Sequence, residues 1–131
     1  MNLFIKTIKK KKVLILIPAR LESTRLPNKV LRLIAGIPMI VRVAKRAQKL
    51  KFADVIVASG NKEISNVLDK YHIKNFLTSR KHKSGTDRIF EVYKKIKKNY
   101  EIIINLQGDL PFFKDELIHS LLLIMQDDKT D

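Results

Sequence analysis

The stretch VLILIPARLESTRLPNK, from Val13 to Lys29, joins an apolar run to a loop rich in positive charge. The run Val13 to Ile17 contains only aliphatic residues and ends at a proline. Short apolar runs with such a boundary are typical of buried strands. The residues that follow include two arginines, a lysine, two hydroxyl side chains and two prolines. The stretch therefore predicts a buried strand that leads into a loop suited to an anion.

Three further apolar runs resemble the first, namely Asp54 to Ala58, Asn75 to Thr78 and Glu101 to Leu106. Between them, apolar residues recur at helical spacing over residues 39–50, 64–71 and 89–96, and a last helix is expected over 115–126. Asn61 and Thr86 precede two of these segments and are of types that cap helices. The repeated strand–helix order predicts an α/β fold, a Rossmann-like and mostly parallel sheet with helices on both faces.

The length of 131 residues fits one domain. We expect a basic tail over residues 1–12 and a nucleotide-binding α/β domain over 13–131. The chain has no cysteine, which excludes disulfides and thiolate chemistry, and no apolar run of the roughly 20 residues that a membrane helix needs. The expectation is a cytoplasmic protein without a membrane partner.

The net charge of +14 arises from 27 Lys and Arg against 13 Asp and Glu, and it favours an anionic partner. Much of the excess lies in two lysine runs, over 9–12 and 94–98, which are typical of solvated surfaces. Aromatic residues make up only 7% and form no stacking pattern. We therefore expect no nucleic-acid partner, although a basic nucleic-acid-binding protein stays an alternative.

Two loops should lie at the carboxyl edge of the sheet, where α/β proteins bind ligands. Neither contains GxGxxG or GxxxxGK[ST], which makes a dehydrogenase or a P-loop kinase improbable. In the first loop, Arg20, Arg25 and Lys29 could surround a polyphosphate, and Ser23 and Thr24 could donate hydrogen bonds to it. The alternative for this loop is an ordinary solvated basic segment.

The second loop is QGDLP, over residues 107–111. Asp109 could hold Mg²⁺, which prefers one or two carboxylates together with substrate phosphates, and Gln107 could reach a base or a sugar. The alternative is that Asp109 only caps a turn. In a third segment, HKSGTDR, Ser84 and Thr86 could cap the following helix, and Gly85 could let a ligand approach its N–H groups.

Together, PARLESTRLPNKVL, HKSGTDR and NLQGDLPF resemble the sugar-activating cytidylyltransferases, in particular those that act on 3-deoxy-manno-octulosonate (Kdo). The resemblance implies a fold of the nucleotide-diphospho-sugar transferase type. It also implies a reaction in which CTP and Kdo give CMP-Kdo and pyrophosphate, with Mg²⁺, for lipopolysaccharide synthesis. The catalytic residues that it implies are Arg20, Lys29 and Asp109, with Asp109 as the metal ligand. The residues that it implies for binding CTP are Ala19, Arg20, Ser23, Arg25, Lys29, Ser84, Gly85, Thr86 and Gln107.

The sequence departs from the family pattern in two ways. It has ASG, Ala58 to Gly60, where many relatives have ATD, so one carboxylate is missing. The family enzymes are also about twice as long, and we expect this chain to carry the CTP-binding half of a truncated fold whose full-length relatives are homodimers. An acylneuraminate-type or other acidic-sugar cytidylyltransferase is the second alternative.

Overall fold

The computed structural model describes residues 12–21, 28–79, 81, 85–96 and 100–106. Four strands form one parallel sheet: β1 (Val13–Ala19), β4 (Asp54–Ser59), β5 (Asn75–Leu77) and β6 (Ile102–Asn105). All four lie where the apolar runs predicted them, and their ends differ from the predictions by one or two residues. The parallel α/β fold is therefore confirmed.

The order of the strands is β5-β4-β1-β6, so the chain reverses direction across the sheet at β1. β1 pairs with β4 as far as Ala19 and Ser59, and with β6 as far as Leu16 and Asn105. Pro18 lies two residues beyond Leu16, the last residue of β1 that pairs with β6, so its missing N–H breaks no hydrogen bond of the described pairing. Open α/β sheets bind ligands at such a reversal, outside the carboxyl ends of the strands.

Helices cover both faces of the sheet, as predicted. They are α1 (Met39–Gln48), α2 (Lys62–Lys70) and α3 (Gly85–Ile96). Alternate residues of β1 face opposite sides: Ile15 and Ile17 belong to the larger apolar cluster with α1 and α2, whereas Leu14 and Leu16 pack in the cluster that contains α3. β1 therefore lies between the two cores.

A small substructure between β1 and α1 was not predicted. It consists of a 3-10 helix (Lys29–Leu31) and an antiparallel hairpin of β2 (Leu33–Ile34) and β3 (Ile37–Pro38). Ala35 and Gly36 form its turn with φ of 50° and 81°. Arg42 of α1 fixes this turn, since its guanidinium donates to the Ile34 carbonyl at 2.6 Å and to the Ala35 carbonyl at 3.2 Å.

Two helix starts differ in detail from the predictions. Asn61 is the N-cap residue of α2, as predicted, but its side chain makes no capping hydrogen bond. α3 begins at Gly85, which places Thr86 inside the first turn instead of before it. The predicted helix over 115–126 and the tail over 1–11 lie outside the described residues. No helix in the described part of the chain is long and apolar enough to cross a membrane.

Candidate functional site

The segment from Arg20 to Lys29, called the basic loop below, is closed at its base by hydrogen bonds at the carboxyl end of β1. Arg20 is exposed directly after the strand. The next residue, Leu21, accepts a hydrogen bond on its carbonyl from the N–H of Asn28 at 2.9 Å. Asn28 has a φ of 63° and leads directly into the 3-10 helix that begins with Lys29, which is half-buried. The structure therefore brings the backbones that carry Arg20 and Lys29 to one closed base. Ser23 and Arg25 lie outside the described residues.

The loop base is attached to β4 as well. Ala19 is buried, and its carbonyl accepts the N–H of Gly60 at 2.8 Å. The N–H of Leu21 donates to the side-chain Oδ1 of Asn61 at 2.9 Å. The segment after β4 thus holds the chain on both sides of Arg20. The role in CTP binding that the resemblance implied for Ala19 stays a prediction.

The N-terminal end of α3 is tied to the ends of β4 and β5 by a buried arginine. Arg88 is 2% exposed, and its Nη1 donates to Thr78 Oγ1 at 2.8 Å and to the Ser79 carbonyl at 3.1 Å. Glu91 of the same helix accepts the N–H of Ser79 at 3.1 Å. The first turn of α3, with Gly85 and Thr86, is therefore at the carboxyl edge of the sheet. The predicted partner Ser84 lies outside the described residues.

The ASG segment supports this arrangement. The Ser59 carbonyl accepts the N–H of Thr78 at 2.7 Å and its hydroxyl at 2.9 Å. At Gly60 the guanidinium of Arg88 occupies the place of a side chain, because a Cβ built there would lie 2.7 Å from Arg88 Cζ. A residue with a larger side chain at position 60 would require Arg88 to move. Where many relatives have the carboxylate, this chain therefore has Gly60, and the buried guanidinium of Arg88 packs against the backbone of that glycine.

These polar residues were not among the predicted site residues. Ser59, Asn61, Thr78 and Arg88 are all buried, each with no more than 5% of its surface exposed. One signal was present in the sequence: Arg88 has the spacing of the apolar face of α3, one residue before Ile89 and four before Val92. A charged residue at such a position indicates a buried hydrogen-bonding role.

The last strand leads into the second predicted loop. Leu106 donates its N–H to the Leu16 carbonyl at 3.0 Å, so pairing with β1 continues to the residue directly before Gln107. Gln107 and Asp109 themselves lie outside the described residues. The Oδ1 of Asn105 is buried and has no hydrogen-bond partner within the described part of the chain. Among the described residues there is also no group of three His, Asp or Glu side chains that could hold a metal ion.

The parallel sheet that reverses its order at β1 has the α/β fold of the nucleotide-sugar transferases, and a segment rich in positive charge follows β1 at its carboxyl end. Residues 14–131 match the family model of the cytidylyltransferases, and the chain belongs to this family. A CMP:2-keto-3-deoxy-manno-octonic acid synthetase complexed with CTP has the same fold, with a TM-score of 0.81 and 39% identity over 91% of this chain and 49% of that one.

Curated proteins of similar sequence are named as cytidylyltransferases of the same sugar. The chain is 46% identical over 120 residues to the 3-deoxy-manno-octulosonate cytidylyltransferase of Bartonella henselae, covering 90% of this chain and 49% of that protein. It is 48% identical over 115 residues to the enzyme of the same name from Wolinella succinogenes, covering 87% and 46%. The chain thus spans about half the length of the curated relatives it matches.

Proposed function

We propose that the chain supplies the CTP-binding part of an enzyme that transfers CMP from CTP to Kdo for lipopolysaccharide synthesis. The observation that carries the proposal is the position of the two predicted loops, which leave the neighbouring strands β1 and β6 where the strand order reverses. The curated relatives are named as cytidylyltransferases of this sugar, which favours Kdo over other acidic sugars.

In the proposed reaction a hydroxyl of the sugar attacks the α-phosphorus of CTP. A new oxygen–phosphorus bond forms, the bond to the β-phosphate breaks, and CMP-Kdo, pyrophosphate and a proton result. Negative charge grows on the leaving pyrophosphate, so positive groups near it lower the barrier. Arg20 and Lys29 are suited to this task because their backbones are held at one closed loop base. Ser23 and Arg25 would add contacts to the triphosphate.

The first turn of α3 would bind the nucleotide from the other side. Its N-terminal N–H groups form a partially positive end, and Gly85 there has no side chain to obstruct a ligand. Ser84, Thr86 and Gln107 would complete the cytidine pocket. This end is held in place by the bonds of Arg88 and Glu91 to the loop after β5.

Mg²⁺ is part of the proposal. Asp109 would hold the ion together with phosphate oxygens of CTP, a ligand set that Mg²⁺ accepts. When bound, it would supply positive charge to the α-phosphate. We further propose that the enzyme acts in the cytoplasm, where CTP is available.

The proposal is tested by thermal unfolding of the chain with nucleotides. At a CTP concentration of about 100 times Kd, with Mg²⁺, the free energy of unfolding should rise by about 2.7 kcal/mol. Asp109→Ala should abolish most of this gain. Glu101→Ala is the matched control, because this exposed carboxylate lies at the opposite edge of the sheet, directly before β6. Binding is the primary measurement because the chain spans about half the length of its relatives.

The expected preference is CTP over ATP, GTP and UTP, and Arg20→Ala should weaken CTP binding more than cytidine binding. Equal stabilisation by all four nucleotides would contradict a cytidine site. Strong and salt-sensitive binding of RNA that survives Arg20→Ala would favour the nucleic-acid alternative instead.

A further inference from the structure

Asn61 follows β4 in the sequence, and in the structure its side chain contacts the beginning of the basic loop. Its residue surface is 3% exposed, and its Oδ1 accepts the N–H of Leu21 at 2.9 Å, across 40 positions of sequence. Because a backbone N–H can only donate, the atom that faces Leu21 must be the side-chain carbonyl oxygen. The bond therefore fixes the backbone of the residue that directly follows Arg20.

The neighbouring residues hold Asn61 in this position. The hydroxyl of Ser59 donates to the backbone carbonyl of Asn61 at 2.8 Å, and Ser59 is fully buried. One residue further, the N–H of Gly60 donates to the Ala19 carbonyl at 2.8 Å. Residues 59–61 thus hold the chain at Ala19 and at Leu21, on both sides of Arg20. The bond from Ser59 is buried, and hydrogen bonds in such a setting are stronger than those exposed to water.

We propose that Asn61 is a positioning residue for the basic loop, and that it fixes the direction in which Arg20 leaves the sheet towards a polyphosphate. The part that concerns CTP rests on the proposed function. A cation on a backbone that is already fixed loses less conformational freedom when an anion binds. Asn61 is also the N-cap residue of α2, but its side chain makes this contact and no capping hydrogen bond.

The first experiment needs no ligand. Trypsin cleaves after Arg20, and the amide of the cleaved bond is the N–H that Asn61 accepts. Asn61→Ala should accelerate this cleavage several-fold, measured by mass spectrometry and divided by the rate after Lys51, an exposed residue in a separate turn. Division by the second rate removes the effect of any global loss of stability. Asn61→Asp keeps an acceptor oxygen and should restore the wild-type ratio.

Asn75→Ala is the matched control. The Nδ2 of Asn75 donates to Asp69 Oδ1 and to the Ile73 carbonyl, both at 2.9 Å, on the outer strand β5. This variant therefore loses two side-chain bonds without a change near β1. Its cleavage ratio after Arg20 should equal that of the wild type. A ratio in Asn61→Ala no higher than in Asn75→Ala would overturn the inference.

The second experiment measures binding of CTP, CMP and inorganic tripolyphosphate by calorimetry. Asn61→Ala should weaken CTP and tripolyphosphate binding about tenfold and CMP binding about twofold or less, because the loop serves the β- and γ-phosphates. If wild type binds tripolyphosphate but not CTP, the proposed function fails while the positioning role is still decided by the variant. Equal losses for CTP and CMP would refute the role in holding the polyphosphate.

If Asn61→Ala does not fold, amide exchange of wild-type Leu21 gives the answer. The inference expects exchange that is as slow as in the interior of β1. Exchange at the rate of an unprotected amide would overturn it.

Discussion

Gly60→Ala tests the contact between the ASG segment and the buried arginine of α3. The new methyl group would lie 2.7 Å from Arg88 Cζ, well inside van der Waals contact. Arg88 has little space for displacement, because it is 2% exposed and donates to Thr78 Oγ1 and the Ser79 carbonyl. The substitution should therefore break at least part of this hydrogen-bonding arrangement.

The size of the effect follows from those contacts. A hydrogen bond from a charged donor contributes about 1.5–3 kcal/mol, and overpacking of a filled interior costs about 1–3 kcal/mol. If Arg88 shifts enough to weaken both bonds, the free energy of unfolding should fall by about 3 kcal/mol. For a domain of this size the Tm should fall by about 10 °C or more.

The assay is urea denaturation followed by circular dichroism, with Gly36→Ala as the matched control. Gly36 has a φ of +81° and no atom within 4 Å of an added Cβ, so that substitution costs only backbone strain, about 1 kcal/mol. In an Arg88→Ala background, Gly60→Ala should lose most of its effect, because the obstructing guanidinium is gone. A Gly60→Ala loss equal to that of Gly36→Ala, or one unchanged in the Arg88→Ala background, would refute the reasoning.

Two further predictions concern single side chains that join separate elements, Tyr100 and Arg42. The pKa of Tyr100 is raised from 10.0 to about 12 by partial burial, by its hydrogen bond to Asp54 Oδ2 at 2.7 Å and by the negative charge of Asp54. The stabilisation that this shift contributes should therefore be complete below pH 10 and should be lost as the pH rises through 12. Tyr100→Phe should remove this part of the pH dependence of unfolding, and a wild-type minus variant difference that is flat from pH 9 to 12 would contradict it. Arg42→Met should lower stability by about 1–3 kcal/mol, because two carbonyls of the hairpin turn lose their donor. Lys45→Met, at an exposed position on the same helix, should change it by less than about 0.5 kcal/mol in the same urea titration.

The main sheet could be predicted because its strands are apolar runs several residues long and its helices have clear periodicity. The hairpin between β1 and α1 was missed since each of its strands has two residues, too few for any pattern. The position of the cap at Asn61 was predicted correctly, but its side-chain hydrogen bond was not. A local rule predicted that its side chain would bond to α2, but a distant residue, Leu21, takes the bond instead.

The candidate site was predicted in part. Its first loop could be located because a cationic segment follows a buried strand, and the structure places Arg20 directly after that strand. The helical spacing of Arg88 indicates its burial, but its bonding partners and those of Ser59 and Thr78 could not be derived from local sequence, because these bonds join separate elements. The predicted roles of Gln107 and Asp109 concern residues outside the described part of the chain.

The burial of β1 has a consequence for protein engineering. All seven residues of the strand are buried, with alternate side chains divided between the two cores. Random substitutions in β1 would disturb the packing of both cores. Most variants would then fail to fold, and a change in nucleotide specificity could not be selected among them. A library designed to alter nucleotide preference should therefore leave this strand constant and diversify the residues that follow it.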